Sequence, residues 1–195
     1  MNLRQMLTAP NQLTLLRMIF LPFIVIYVVD RHYVWALALF VLAGLSDGLD
    51  GLLARKLHQQ TQLGQYLDPI ADKLLMSTMF LVLSIDHRAI VPWKYTVVVF
   101  SRDISILLVS GVLFMIAGLK DFRPSIFGKA NTFAQVAAIF FALLTLVMPV
   151  RWVDIARRTS LKATFIFTIL SAVHYAFLVQ HRLRNHGQAA EVGGP

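Results

Sequence analysis

The chain has 195 residues, of which 57% are hydrophobic and only 14% are charged, and its mean hydropathy is +0.67. A water-soluble domain of this length rarely carries so few charges, so the composition predicts an integral membrane protein. The net charge of +8 favours anionic lipid head groups over nucleic acid, because the basic residues are scattered over several loops, and the absence of cysteine excludes disulfides and thiolate chemistry.

The hydropathy pattern predicts one all-α membrane domain over residues 1–184, with a short interfacial helix and six transmembrane helices. Residues 1–9 place Leu3, Met6 and Leu7 at helical spacing, which is typical of a helix lying on the membrane surface. Apolar runs long enough to cross a bilayer follow at residues 12–30, 33–54, 67–85, 91–118, 128–149 and 160–181. Because these runs lack the alternation of a membrane strand, we expect helices. The polar, glycine-rich tail 185–195 is predicted to be disordered.

Four aspartates lie at helical spacing where the second and third predicted helices approach the loop between them. Asp47 and Asp50 share one face of the second helix, and Asp68 and Asp72 share one face of the third. Four unpaired carboxylates would not all stay ionised in an apolar setting, and divalent cations would resolve their repulsion. An all-oxygen ligand set favours magnesium, manganese or calcium over zinc or copper. In the alternative interpretation the aspartates are structural and pair with basic neighbours, namely Arg55, Lys56 and Lys73.

Small and basic residues beside these carboxylates indicate a diphosphate site. Gly51 and Ala54 would let a bulky group approach the helix backbone, and Arg55 would bind phosphate oxygens. Two metal ions would bridge a diphosphate and stabilise the leaving phosphate. A carboxylate not fully used by the metals would then accept a proton from an attacking hydroxyl group.

Three further charged residues lie inside predicted spans, and they are Arg17, Lys73 and Arg102, with Asp103 beside the last. Each has a structural interpretation, either as an interhelical ion pair or as a side chain that reaches the interface. Arg102 lies too deep in its span to reach the interface easily, which favours a functional role. Arg17 is close to the end of its helix, and for it both interpretations stay open.

The run from Asp47 to Asp72 resembles the signature of the CDP-alcohol phosphatidyltransferase family, D-x2-D-G-x2-A-R-x8-G-x3-D-x3-D, at all eight fixed positions. The segment 10–17 is similar to the opening of that family's first span. Segments 101–103 (Ser-Arg-Asp) and 128–135 (Gly-Lys-Ala-Asn-Thr-x-x-Gln) resemble later motifs of its glycerol-phospholipid branch. The likeness extends over residues 10–140.

The resemblance implies a six-span homodimer that transfers the phosphatidyl group of CDP-diacylglycerol to an alcohol and releases CMP. It implies two divalent cations, Mg²⁺ or Mn²⁺, bound by Asp47, Asp50, Asp68 and Asp72, with Asp72 also acting as the base. The residues expected to contact the cytidine diphosphate part are Asn11, Thr14, Gly51, Ala54, Arg55, Thr61 and Gly64. A bacterial inner membrane is the expected location, with the active site and both termini facing the cytosol, where the nucleotide is made.

The sequence leaves the acceptor alcohol open between two glycerol derivatives. The candidate acceptor-binding residues are Arg17, Arg102, Lys129 and Asn131. Abundance favours the phosphatidylglycerophosphate synthases, which use glycerol 3-phosphate, but these usually have glutamate in place of Asp103 and a second lysine in place of Asn131. The cardiolipin synthases of this family, which use phosphatidylglycerol, resemble the chain at both positions. Inositol phosphate and serine are weaker candidates.

Two other classes of protein share part of this pattern. Membrane prenyltransferases also use two aspartate motifs and magnesium on a diphosphate, but their motifs lie far apart on a longer chain. A cation transporter would line its pathway with aspartates, yet it would have no need of Gly51, Ala54, Arg55 and Gly64 around them. Metal-dependent release of CMP separates the three classes, because only a CDP-alcohol phosphatidyltransferase produces it.

Overall fold

The computed structural model describes residues 9–57, 62–117 and 126–192, which form six α-helices and contain no strand. The helices are α1 (Ala9–Val29), α2 (Tyr33–Leu57), α3 (Gln62–Asp86), α4 (Trp93–Ala117), α5 (Ile126–Val147) and α6 (Arg151–Val192). The all-α prediction is therefore confirmed for these ranges. The predicted interfacial helix falls outside the described residues except for Ala9.

Several helices extend beyond the apolar runs from which they were predicted. α2 continues to Leu57 and α3 begins at Gln62, so both enter the polar segment between them. α6 has 42 residues, and at a rise of about 1.5 Å per residue it is about 63 Å long. It continues to Val192, where the sequence predicted a disordered tail from residue 185. Gln188, Ala189 and Ala190 are strong helix formers, which explains why the helix extends through these turns.

Two described segments are long and apolar enough to cross a membrane, and they are Gly128–Val147 and Arg151–Phe177. Leu16–Val29 and Tyr33–Ser46 are shorter apolar helical segments. Length and composition thus support membrane embedding for part of the molecule. The full set of six spans stays a prediction.

The buried core lies mainly between α1, α2, α3 and α5, with α6 packed along α4 and α5. Large side chains such as Ile24, Phe80 and Leu143 fill its centre and are fully buried. Where the helices meet, small residues such as Ala43 and Ala138 are also buried. Small residues let helix backbones approach closely, which is how apolar helices pack when lipid surrounds them.

Polar contacts fix the turn between α3 and α4 against α6. The guanidinium group of the buried Arg157 donates to the carbonyl oxygen of Ile90 and to the carboxylate of Asp154. Nearby, the buried Ser84 and Thr96 hydroxyl groups are hydrogen-bonded to each other across α3 and α4. These bonds fix the position of α4 along the helix axes relative to α3 and α6. They therefore also fix the positions of Arg102 and Asp103, which lie on α4.

Candidate active site

The four aspartates lie at similar distances from the ends of α2 and α3 that face the loop between these helices. Asp47 and Asp50 precede the last residue of α2 by ten and seven residues, and Asp68 and Asp72 follow the first residue of α3 by six and ten. At about 1.5 Å per residue, both pairs lie about 9–15 Å from the helix ends that face the loop. Each acidic motif therefore lies at a similar distance from the loop end of its own helix, as the predicted metal centre between the two helices requires.

A cavity of about 140 Å³ lies between α1, α2, α3 and α5. It is lined by Arg17, Phe40, Ala43, Gly44, Asp72, Leu75, Met76 and Val136. Ala43 and Gly44 precede Asp47 by four and three residues, so the cavity adjoins the helix face that carries position 47. The cavity brings together Arg17 and Asp72, two of the predicted site residues from different helices.

Gly44 leaves one side of this cavity open. A methyl group added at its Cα would meet no atom within 4 Å. Neighbouring Ala43 is fully buried and also carries a small side chain. Small side chains of α2 therefore line the same cavity as Asp72 and leave room in it for a reacting group.

Lys73 forms an ion pair with a carboxylate on α4 and not with one of the four aspartates of the predicted metal centre among the described residues. Its ammonium nitrogen lies 3.0 Å from Oδ1 of Asp103, and Nη1 of Arg102 donates to the same oxygen at 2.6 Å. The side chains of Arg102 and Asp103 are each only 12% exposed, whereas that of Lys73 is 34% exposed, so Lys73 meets a largely buried pair on α4 from the neighbouring helix α3. This arrangement weakens the interpretation in which Lys73 neutralises the four aspartates.

Beside these three charged residues, α6 forms hydrogen bonds with one polar side chain of α4 and one of α5. Nη2 of Arg102 donates to Oγ of Ser171 at 2.7 Å, and Oγ1 of Thr168 donates to Oδ1 of Asn131 at 2.8 Å. Thr168 and Ser171 lie one turn apart on α6, so Arg102 and Asn131 meet the same turn of that helix. Arg102 and Asn131 are thus both hydrogen-bonded to α6, and their role in acceptor binding stays a prediction.

Three buried donor groups in this region have no hydrogen-bond acceptor among the described residues. They are Nε of Arg102, Nδ2 of Asn131 and Nε2 of Gln135. Asn131 is completely buried and Gln135 is 4% exposed. Buried donors nearly always have a partner, so these three would be satisfied by a water molecule, an ion or a ligand oxygen.

The structure places the other predicted residues only in part. The backbone of Asn11, Thr14, Asp47, Asp50, Gly51, Ala54, Arg55, Gly64 and Asp68 is described, but their side chains fall outside the described part of the chain. Thr61 lies outside it altogether. Lys129 is exposed in the first turn of α5 and lines neither described cavity.

The metal centre stays a prediction. No group of three candidate metal ligands occurs among the described side chains, which include Asp72 but none of the other three aspartates. The features that the structure does describe fit such a centre, because Asp72 borders an open cavity and Lys73 is engaged by Asp103. Carboxylate oxygens at these spacings are suitable ligands for Mg²⁺ or Mn²⁺.

Residues of α6 were missed by the sequence analysis, which gave its predicted span no role beyond apolar length. Ser160, Thr164, Thr168 and Ser171 recur at steps of four, four and three residues along this helix. Thr164, Thr168 and Ser171 are all buried. A row of hydroxyl groups on one face of an apolar helix was the available signal for interhelical hydrogen bonding. Gln135 was also missed: it belongs to the motif at residues 128–135, but the sequence analysis assigned it no role.

The chain is similar in sequence to known proteins. The family model described as CDP-alcohol phosphatidyltransferase matches residues 7–179. The chain is 32% identical over 173 residues to the CDP-diacylglycerol–glycerol-3-phosphate 3-phosphatidyltransferase of Aquifex aeolicus, which covers 87% of this chain and 94% of the relative.

Two further relatives carry a different name. The chain is 36% identical over 132 residues to a "Putative cardiolipin synthase" of Mycobacterium tuberculosis, and the match covers 66% of this chain and 61% of that protein. It is 35% identical over 109 residues to the human "Cardiolipin synthase (CMP-forming)", covering 55% of this chain and 35% of the relative. The chain thus spans about three fifths of the length of the mycobacterial relative.

Proposed function

The chain belongs to the CDP-alcohol phosphatidyltransferase family, and we propose that it transfers the phosphatidyl group of CDP-diacylglycerol to a glycerol-type acceptor, releasing CMP. One observation carries the proposal: Asp72 and Arg17 line one cavity between the two aspartate-bearing helices. The buried donors of Arg102, Asn131 and Gln135 add an anion-binding element contributed by α4 and α5.

Members of this family use divalent metal, and we propose two Mg²⁺ or Mn²⁺ ions held by Asp47, Asp50, Asp68 and Asp72. When bound, they would neutralise the diphosphate and the phosphate of departing CMP. On the nucleotide side, Arg55 would bind phosphate oxygens, and Gly51, Ala54 and Gly64 would leave room for the diphosphate. Asn11, Thr14 and Thr61 would supply hydrogen bonds to the rest of the cytidine nucleotide.

In the proposed reaction the acceptor hydroxyl oxygen forms a bond to the phosphorus atom that carries diacylglycerol. The bond from that phosphorus to the bridging oxygen breaks, and CMP leaves with the bonding electrons. Asp72 accepts the hydroxyl proton as general base. Arg17, which lines the same cavity, would hold an acceptor oxygen in place.

We take glycerol 3-phosphate as the acceptor on the strength of the Aquifex relative, which the chain covers almost completely. The cations available for its phosphate are Arg17, Arg102 and the exposed Lys129. Phosphatidylglycerol is a second candidate that the charges of the site favour. Asn131 is neutral and fully buried, and Arg102 shares the carboxylate of Asp103 with Lys73, so this group supplies one net positive charge to an acceptor. A phosphodiester with one negative charge needs fewer cations than the phosphate monoester of glycerol 3-phosphate.

An acceptor panel tests the proposed function. Purified protein in detergent receives CDP-diacylglycerol, manganese or magnesium, and one of glycerol 3-phosphate, phosphatidylglycerol, inositol phosphate or serine. We expect metal-dependent CMP release with glycerol 3-phosphate, and release with phosphatidylglycerol alone would establish the second candidate. A protein that releases no CMP with any of these acceptors would refute the assignment.

We also propose the membrane placement that goes with this chemistry, namely six spans, a homodimer and a bacterial inner membrane. Both termini and the α2–α3 loop would face the cytosol, where CDP-diacylglycerol presents its nucleotide. The apolar segments in α1, α2, α5 and α6 support this placement. Since the chain contains no cysteine, single cysteines introduced at Gln59 and Arg88 would report opposite sides of the membrane to an impermeant thiol reagent.

Gly44→Leu is expected to reduce turnover by narrowing the cavity that Gly44 and Asp72 both line. Four additional carbon atoms beside a cavity of about 140 Å³ would compete with the reacting groups for space. Gly44→Ala is the matched control, because its methyl group meets nothing within 4 Å. We expect a loss of about 10²-fold for leucine, in line with the effect of misplacing reactants by about 1 Å, and near-normal CMP release for alanine. Equal rates in both variants would show that the cavity is not the reaction site.

Ser171→Ala is expected to weaken acceptor binding, because it removes the hydrogen bond that holds Nη2 of Arg102 in position. A hydrogen bond to a charged group contributes about 1.5 kcal/mol or more, so the KM for the acceptor should rise about tenfold. The KM for CDP-diacylglycerol should stay unchanged. Thr164→Ala is the control, since its buried hydroxyl group donates to the carbonyl oxygen of Ser160 within α6. A parallel rise in both KM values would point to a general structural effect.

A further inference from the structure

A second cavity, of about 260 Å³, opens between α4 and α6 at the end of the molecule remote from Asp72. It is lined by Lys94, Tyr95, Lys162, Phe165 and Ile166. Asp72 lies 14 residues before the end of α3, near which α4 begins. At about 1.5 Å per residue, the two cavities are roughly 20 Å apart along the helix direction. The second cavity is therefore separate from the proposed active site.

The cavity has an aromatic floor and two cationic edges. The rings of Tyr95 and Phe165 meet edge to face with their centroids 6.2 Å apart, which joins α4 to α6. Nζ of Lys94 lies 5.2 Å from the centroid of the Tyr95 ring. Both Lys94 and Lys162 are exposed, so their ammonium groups border an opening that is otherwise apolar.

Neither lysine is neutralised by a carboxylate among the described residues. Among the described carboxylates at this end of the molecule, that of Asp86 lies beside His87 and that of Asp154 pairs with Arg157 and Arg158. Lys94 is also the second residue of α4, where the free amide groups of the helix N-terminus add partial positive charge. The cavity thus combines an excess of positive charge with an apolar lining.

We propose that this cavity binds an anionic phospholipid, with the phosphate between Lys94 and Lys162 and an acyl chain against Phe165 and Ile166. A soluble phosphate would gain nothing from the two rings, and a lipid without net negative charge would leave the lysines uncompensated. Trp93 and Trp152 are exposed at the same end, as is typical of residues at the level of lipid head groups. The proposal rests on the membrane placement inferred above and not on the transfer reaction.

Tryptophan quenching tests this site directly. The chain has three tryptophans, and Trp35→Phe with Trp152→Phe leaves Trp93, next to Lys94, as the reporter. The full-length protein is placed in phosphatidylcholine bilayers containing trace phosphatidic acid with brominated acyl chains. Phosphatidic acid is chosen because it is neither an acceptor nor a product of the proposed reaction. We expect it to quench Trp93 far more efficiently than brominated phosphatidylcholine does.

In this background, Lys94→Gln with Lys162→Gln should reduce the preference for phosphatidic acid about 25-fold, because each lysine near an anionic lipid contributes roughly a factor of five. Arg88→Gln with Arg151→Gln is the control, since it removes the same charge from exposed positions outside the cavity. Equal quenching by both lipids, or the same loss in the control, would overturn the proposal. Displacement of the lipid by soluble glycerol phosphate would also overturn the proposal, because it would show that the acyl chain is not needed for binding. CMP release is measured separately, so failure of the transfer reaction leaves the quenching result intact.

Discussion

Asp50→Ala and Asp68→Ala are each expected to abolish CMP release while the protein remains folded. Each change removes one proposed oxygen ligand from the dications between α2 and α3. Such ions stabilise the transition state by several kcal/mol, so the loss of one ligand should lower kcat by about 10³-fold or more. The fold should persist because the described core is built from apolar side chains such as Phe80 and Leu143 at other positions.

Asp86→Ala provides the control for these variants. Asp86 lies on the same helix as Asp68, but at its opposite end, where it is exposed and pairs with His87. CMP release and Mn²⁺ binding by equilibrium titration are measured on all three variants. The Asp86 variant should behave as the parent in both assays. Near-normal turnover in the Asp50 or Asp68 variant, or undiminished Mn²⁺ binding in both, would contradict a metal centre formed by these residues.

Asp72→Asn is expected to separate catalysis from nucleotide binding. The amide has nearly the same shape as the carboxylate and fits the same cavity, but it cannot accept the acceptor's proton. Loss of a general base typically lowers the rate by about 10²–10⁴-fold. The affinity for CDP should change much less, because three aspartates and Arg55 remain to hold the diphosphate.

The measurements are the single-turnover rate and the dissociation constant for CDP, each at saturating Mn²⁺. Gly44→Ala again serves as the control, since it alters the same cavity without changing a charged group. A loss of CDP affinity as large as the loss of rate would show that Asp72 acts only as a metal ligand. Another residue would then have to take the proton.

The sequence predicted the helices because each helix depends on a local pattern of residues. Continuous apolar runs indicated all six helices, and the three- and four-residue steps around Asp50 and Asp68 indicated a shared face on each helix. Helix ends were less accurate, notably in α6, where the backbone continues its hydrogen bonding past the apolar run. The family motif also identified Asp72, which the structure places at a cavity.

Contacts between distant helices could not be predicted in the same way. Nothing local to Lys73 shows that its partner is Asp103, 30 positions later in the chain. The bond between Arg102 and Ser171 spans 69 positions, and that between Thr168 and Asn131 spans 37. Such pairs are set by how α4, α5 and α6 pack, which the spacing of residues within one helix does not reveal.

The ion pair between Lys73 and Asp103 also bears on how the protein is made. A lone ammonium group in hydrocarbon costs about 2.5–3.5 kcal/mol when a helix is inserted. In the proposed six-span arrangement, the newly synthesised α3 would carry such a penalty until α4 follows and supplies the carboxylate of Asp103. We therefore expect α3 and α4 to enter the bilayer together as a helical hairpin, with the ion pair between Lys73 and Asp103 already formed.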